Sequence, residues 1–545
     1  MTAAVAELED GLGTLAGTGK LLRFQLRRSR LYLLGWLAGL AGGTWMTAAS
    51  FPGLYPDAEG RVAYGVTVNT PAMRSMTGPV EYIEAYGEST GAMFAHQMIL
   101  WTGALTAVMF LLLIVRLTRA DEETSRSEVF RSNPIGRRAD LAAALALAGI
   151  AAVALGALMA AAVAALPGDQ GASALLFGLA HTAIAVVFAA VAAVTAQLAG
   201  YASSANGLAF MVLGWSALTA GIGNAQENWA TWLSPIGWAQ LTFVYTPEQR
   251  WWPLALSAVV AVLAVGLAFA LVTRRDFGIG MLAGRLGRGE AKPGLDSATA
   301  LTFRLTRGMT LAGVITMLLL GAAYGSLMGG ADEMLEGLSE TERAVLDQGG
   351  SSIQENITAT FVALNGLFAG LFGLLVVGRA GKEETQGRGE LIAAAAVPRS
   401  GWPGSYLLAA LWAVTIATVT AGVFLGLSGS ASLGDWSYFS TGLWASLLQL
   451  PAVWALTAFA FAAYTWLPRL GWLRWVAWVW LFVVLYFANL LDLPEWARAV
   501  SPFEHLAKYP ATDVDWLATA LVTAAAGLLT ALGYAGARRR DLQFS

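Results

Sequence analysis

The chain has 545 residues, of which 57% are hydrophobic and only 13% charged, and its formal net charge is −3. A mean hydropathy of +0.59 is too apolar for an ordinary soluble domain, and the charge gives no electrostatic reason to expect nucleic acid as a partner. With no cysteine and only three widely spaced histidines (His96, His181, His505), disulfide frameworks, thiol nucleophiles and a His- or Cys-based metal or catalytic site are not expected.

The first twenty residues carry acids and lack the basic-then-apolar pattern of a cleavable signal peptide. Gly17-Thr18-Gly19-Lys20-Leu21 resembles a phosphate-binding loop only in part. Thr14 stands where the first glycine belongs, and Leu21 where a hydroxyl should meet Mg²⁺. The string leads into a basic segment (Lys20, Arg23, Arg27, Arg28, Arg30) that enters the first apolar stretch.

About 20 apolar residues in a helix cross a bilayer core. In the first half that length predicts spans at Leu31 to Ser50, Ala92 to Val115, Leu141 to Leu166, Ala172 to Ala199, Asn206 to Gly223 and Trp252 to Thr273. In the second half it predicts Met309 to Met328, Thr358 to Gly378, Ser405 to Leu427, Tyr438 to Trp466, Leu473 to Leu491 and Trp516 to Gly536. The expected fold is therefore an all-α integral membrane protein of twelve transmembrane helices. Around Gly200 to Ala205 the polar break is short, and one bent helix is the alternative there.

Three landmarks recur in the same order at an offset of roughly 260 to 270 residues, the mark of a duplicated unit. They are Glu122-Glu123-Thr124 and Glu383-Glu384-Thr385, Ser234-Pro235 and Ser501-Pro502, and Arg274-Arg275-Asp276 and Arg539-Arg540-Asp541. Basic residues before span one, after spans two, six, eight and ten, and at the end alternate with acidic or neutral loops, which predicts cytoplasmic termini. Six spans per half give both halves one orientation, so they read as parallel repeats with the pathway between them. The expected domains are 1–277, with a loop of interest at about 116–138, and 303–545, with its counterpart at about 379–403. A glycine-rich, charged cytoplasmic linker, 278–302, joins them.

The two loops carry the most specific local signal. One contains Glu122, Glu123, Arg126 and Glu128, followed by Pro134 and Arg137; the other contains Glu383, Glu384, Arg388 and Glu390, followed by Pro398 and Arg399. Mixed charge ahead of a proline suits a short helix across the membrane face that docks a partner; a solvated loop that only sets topology is the plainer alternative. Counted from the Glu-Glu-Thr elements, the second loop has one extra residue before its Arg-x-Glu. Within the spans the polar residues Gln197, Asn206, Asn365, Gln449 and Asn489 are candidates to line a pathway, or else to bond neighbouring helices. His181 reads as interfacial. The aromatic Ser-Pro segments, with Trp232, Ser234, Pro235 and Trp238 in one and Ser501, Pro502 and Phe503 in the other, are candidates for external gates, or for ordinary interfacial anchoring.

A basic segment before span one, an acidic-then-Arg-x-Glu loop after span two and a Ser-Pro segment before span six resemble the permeases of type-2 ABC exporters. The doubled form, with two Glu-Glu-Thr loops and two Arg-Arg-Asp ends, resembles the actinobacterial exporters of polyketide antibiotics and multidrug permeases. The resemblance covers the whole chain. It implies a type-2 exporter permease fold in the cytoplasmic membrane, in which the loop residues Glu122, Glu123, Arg126, Glu128, Glu383, Glu384, Arg388 and Glu390 couple to ATP hydrolysis. It also implies two copies of a separately encoded ATP-binding-cassette ATPase that carries ATP and Mg, no cofactor on this chain, and a hydrophobic or amphipathic small-molecule cargo met within membrane lipid. A lipid or envelope-precursor exporter is the neighbouring alternative. An ion-gradient carrier is the alternative from another class, disfavoured because no acidic residue lies deep in any span.

Overall fold

The computed structural model describes residues 14–124, 126, 135–166, 171–276, 278–282, 289–290, 293–330, 353–393, 397–487 and 493–540. Every regular element among them is a helix. The chain divides into two compact units, Met1–Gly287 and Arg288–Ser545.

In unit 1 the long helices are α1 (Thr18–Leu54), α2 (Thr90–Leu117), α3 (Ala139–Val163), α4 (Ala172–Leu198), α5 (Ala202–Gln226) and α6 (Trp252–Arg274). In unit 2 they are α7 (Ala298–Ser326), α8 (Ile353–Thr385), α9 (Gly401–Leu433), α10 (Ser437–Leu448 and Leu450–Trp466, one span Ser437–Trp466), α11 (Leu473–Phe487) and α12 (Trp516–Arg539). Polar side chains start several of them by accepting a free first-turn amide. Ser89 caps α2 through the amide of Ala92 at 3.0 Å, Ser297 caps α7 through Ala300 at 3.2 Å, and Asp515 caps α12 through Ala518 at 3.0 Å. The cap at Ser297 brings α7 into the stretch read as linker. Between α4 and α5 the backbone is extended at Ala199 and Tyr201, so the polar break separates two helices and not the halves of a bent one.

Small residues let the helices close on one another, as lipid-embedded packing requires. On α7, Gly321 and Gly325 lie against α9; a Cβ on Gly321 would fall 2.4 Å from the Ala421 carbonyl oxygen. In unit 1 Gly156 of α3 meets Gly178 of α4, where an added Cβ on Gly178 would stand 2.2 Å from the Gly156 oxygen. Outside these seams α6, α7 and α12 leave Val262, Leu263, Leu311, Leu319, Leu517 and Leu528 exposed. An apolar surface of that kind belongs against lipid.

Ten helices among the described residues are long and apolar enough to cross a membrane. The expected spans Leu31 to Ser50 and Leu473 to Leu491 are not among them. The first sits inside α1, which has the length, at 37 residues, but Gly35, Gly39, Gly42, Gly43 and Thr44 dilute its hydropathy. The second is α11, whose 15 residues extend about 22 Å, short of a core of about 30 Å; residues 488–492 lie outside the described ones. His181, read as interfacial, is fully buried against the neighbouring helices, with Nε2 2.8 Å from the Thr102 hydroxyl and Nδ1 2.8 Å from the Phe177 carbonyl. Burial among Ala-rich helices absorbs an imidazole whose two nitrogens both find partners.

Candidate functional site

In both units the loop carboxylates lie at the end of the helices where the arginine-rich segments gather, here called the basic end. In unit 1, α2 continues through Thr118 into a short helix, Arg119–Glu123, that carries Asp121 and Glu122. Glu122 accepts from Arg119 at 2.9 Å and from Arg275 at 2.5 and 2.9 Å. Arg275 is the middle residue of the Arg-Arg-Asp motif, placed just past the end of α6. Its Nε also donates to Gln197 Oε1 at 2.7 Å, and Arg119 donates to the Ala196 carbonyl at 3.0 Å. Asp121 takes a two-pronged contact from Arg28 of α1, at 2.5 and 2.8 Å, and Arg126 stands 3.6 Å away. Glu123 points elsewhere: it is exposed and accepts the first amide of α5, at Ala202, at 3.0 Å. Four helices are thus tied to one loop. The void beside the cluster is only about 30 Å³, room for a water and little more.

Unit 2 repeats the principal bond with different supports. Glu384 is paired with Arg540, the middle Arg of the second Arg-Arg-Asp, and accepts the Tyr464 hydroxyl at 2.8 Å. Arg540 also donates to the Tyr464 carbonyl at 3.0 Å. Glu383 stands 3.3 Å from Arg379 and 3.6 Å from Arg388. Glu390 is exposed and opens the helix Glu390–Ala393. The void beside this pair is about 460 Å³.

These pairings correct the alignment of the loops. Asp121 and Glu383 each meet an arginine five residues on, and Glu122 and Glu384 each meet the Arg-Arg-Asp arginine. Asp121-Glu122 therefore corresponds to Glu383-Glu384, and the apparent extra residue disappears. Sequence reading missed Arg119, Arg275 and Arg540 as partners of these carboxylates. The signal was present, since both motifs recur together with opposite charge. Glu128 and Asn489 lie outside the described residues.

The remaining candidates scatter. Gln197 belongs to the ion cluster, and Asn206 sits half-buried in the first turn of α5. Asn365 and Gln449 are buried in unit 2; neither atom of the Asn365 amide, nor Gln449 Oε1, bonds any described residue.

At the opposite end of unit 1, Ser234 and Pro235 start a short helix, Pro235–Gln240, after the 3-10 turn Trp229–Leu233. Ser234 Oγ accepts the Gly237 amide at 2.9 Å and meets Ser216 Oγ at 2.8 Å. Trp232 stacks on Trp252 at 4.8 Å, and its carbonyl accepts from the Trp238 indole. The helix delivers Gln240 into a closed network, bonded to Asn224 at 3.0 Å, the Thr77 carbonyl at 3.1 Å and the Tyr82 hydroxyl at 3.0 Å. Burial holds the Tyr82 and Tyr86 phenols well above their ordinary range, so both stay neutral donors. In unit 2 the matching segment has a helix Glu495–Arg498, then a turn through Pro502 and Phe503. Phe503 is buried against Gly366, while the buried Ser501 hydroxyl bonds no described residue.

Among the described residues no group of three or more His, Cys, Asp or Glu could hold a metal ion. What the site offers is mechanical: a charged loop pinned to the end of the last helix of its unit.

Two comparisons bear on what such an arrangement serves. Residues 295–538 match the family model described as "Multidrug efflux system permease Rv1217c, C-terminal domain". Over 532 residues, 97% of this chain and 95% of the relative, the sequence is 34% identical to the multidrug efflux system permease protein Rv1217c of Mycobacterium tuberculosis.

Proposed function

The chain belongs to the family of multidrug efflux permeases to which Rv1217c belongs, and we propose that it is the membrane subunit of an ATP-driven exporter of hydrophobic or amphipathic compounds. ATP would be hydrolysed on two copies of a separately encoded ATP-binding-cassette subunit. In this reading α1 and α11 join the ten more apolar spans to make twelve, arranged as two parallel sets of six with both termini and the basic ends in the cytoplasm of a bacterial inner-membrane protein.

The observation that carries it is the repeated bond between loop and last helix, Glu122 to Arg275 and Glu384 to Arg540. A partner that displaces either loop must move α6 or α12 with it, because parting a buried ion pair leaves both charges uncompensated. The coupling residues are then Glu122 and Glu384 with their arginines, flanked by Asp121, Glu383, Arg126 and Arg388. Glu123 serves by holding α5, and the exposed Glu390 faces the partner. The cargo meets apolar surface with few polar contacts, which suits breadth over selectivity. Around Ser234 and Ser501 the segments cap the outward end.

The test is export of a hydrophobic dye from inverted vesicles holding this chain with its cassette ATPase. Dye uptake should require ATP, and Glu384→Gln should lower uptake per ATP hydrolysed while insertion of the chain is unchanged. Uptake that follows a pH or sodium gradient without nucleotide would overturn the proposal.

A further inference from the structure

Beside the Glu384–Arg540 pair, unit 2 opens a cavity lined by four cations, Lys382, Arg469, Arg474 and Arg540, against one carboxylate. That carboxylate is already held by Arg540 and Tyr464. Lys382, Arg469 and Arg474 make no ion pair with any described residue. Arg474 is the most committed of them. Its Nε is shielded from solvent and donates to no described residue. Its guanidinium lies on Gly378, where an added Cβ would stand 2.8 Å from Cζ, so the bare glycine makes room for it. Arg474 is half-buried while Lys382 and Arg469 are exposed, and a partly dehydrated guanidinium without a carboxylate is stabilised when an anion with several oxygens fills its fork.

A second cavity, of about 520 Å³, lies in the same unit and is largely apolar; Leu456, Phe459, Ala477, Trp480 and Leu481 line it, and it extends to Pro502 and His505 of the Ser-Pro segment. Its size falls within the range of about 300–1,000 Å³ usual for ligand pockets. The two cavities share helix faces. On α10, Ala460 lines the basic cavity and Leu456, one turn along, lines the apolar one. On α11, Arg474 is followed on the same face by Ala477 and Leu481, at helical three- and four-residue spacing. Exposed Trp466, Trp472 and Trp475 cluster in sequence around the basic cavity. Indole rings of that kind mark the boundary between headgroups and hydrocarbon.

From this juxtaposition we infer that unit 2 binds an anionic membrane phospholipid, its phosphate held by Arg474 and Arg469 and one acyl chain lying in the slot beside Ala477, Trp480 and Leu481. A free phosphate would occupy the basic cavity and leave the apolar continuation unused. The headgroup level set by the tryptophans favours the lipid. The inference does not rest on the efflux reading, because it concerns the chain with neither cargo nor nucleotide.

Native mass spectrometry of the full-length chain, exchanged into equal amounts of phosphatidylglycerol and phosphatidylcholine, tests it. The expected result is selective retention of phosphatidylglycerol, weakened about tenfold by Arg474→Gln, the loss of one hydrogen bond to a charged group. Ala477→Phe, which fills the slot and keeps every charge, should weaken phosphatidylglycerol as well. Thermal denaturation in detergent supplies the second arm, with phosphatidylglycerol stabilising and inorganic phosphate alone not. Equal retention of the two lipids, or a preference unchanged in both variants, would refute the site. Stabilisation by phosphate equal to that by lipid would overturn the lipid assignment in favour of a soluble anion.

Discussion

The two basic ends hold the same bond in opposite surroundings. In unit 1 Glu122 lies between two arginines, Arg119 and Arg275, with Gln197 and backbone carbonyls taking the remaining donors and almost no free volume. In unit 2 Glu384 has one arginine and a tyrosine, and a cavity roughly fifteen times larger opens beside it. The opposite ends repeat the contrast. Gln240, Asn224 and Ser234 are satisfied in unit 1, whereas Asn365, Gln449 and Ser501 keep buried polar atoms that bond no described residue in unit 2. Duplication preserved the motifs but not the way each copy is fastened. A fully satisfied buried polar network rigidifies what it joins. The contrast is confined to these matching segments, because Arg74 Nε, His96 Nε2 and Gln97 Nε2 of unit 1 are also buried without a described partner.

The largest effect that could break this comparison is expected at the ion pairs. Glu122→Ala leaves two buried guanidinium groups without their carboxylate, and should cost about 3–5 kcal/mol. Glu384→Ala leaves only Arg540, which keeps the Tyr464 carbonyl and ring and faces an open cavity. Its cost should be about half as large. Denaturation of each full-length variant in one detergent measures the difference. Equal losses would mean that the cavity gives Arg540 no relief.

A smaller effect separates the buried amides. Gln240→Leu removes the side-chain bonds to Asn224 and Thr77 and strands both partners, so it should destabilise by about 1–3 kcal/mol. Asn365→Leu removes an amide that bonds no described residue, so stability should hold or rise, with no loss beyond about 0.5 kcal/mol. A substantial loss of stability in Asn365→Leu would show that its amide is bonded in the membrane and that the contrast between the units is weaker than drawn.

What the sequence made legible follows from which forces act locally. Span positions came from runs of apolar residues, a property of one segment and the bilayer, and ten of the twelve expected segments are helices that meet both length and hydropathy. α1 falls short because its glycines are not hydrophobic, although an added Cβ at Gly35, Gly39, Gly42 or Gly43 would meet nothing within 4 Å, and the described part of α11 is too short. The loop residues were legible as chemistry but not as geometry. Glu122 and Arg275 are 153 residues apart, and no local rule pairs them. The one usable clue was long-range, that two motifs of opposite charge were duplicated together. The shared Glu-Glu-Thr string misled the alignment by one residue, because identity of letters outweighed the acidic character of Asp121. His181 misled for a similar reason. An ionisable side chain in a span reads as exceptional until its two partners, Thr102 and Phe177, are seen around it.

The Ser-Pro motif gives the finest discrimination, because its two copies are chemically identical and differ only in setting. Ser234 accepts the Gly237 amide, so it caps the helix that carries Gln240, and it shares a hydroxyl pair with Ser216, which itself accepts the Ile236 amide at 3.2 Å. Ser234→Ala removes a cap and a partner together and should cost about 1–2 kcal/mol. Ser501 is equally buried, yet its hydroxyl bonds no described residue, and a turn, not a helix, follows it. Ser501→Ala should therefore stay within about 0.5 kcal/mol of the parent. Thermal denaturation of the two full-length variants, with export of the same dye as a second readout, sets the copies side by side. Should Ser501→Ala prove as costly as Ser234→Ala, the hydroxyl has a partner in the working protein, and unit 2 is fastened at its Ser-Pro segment as firmly as unit 1.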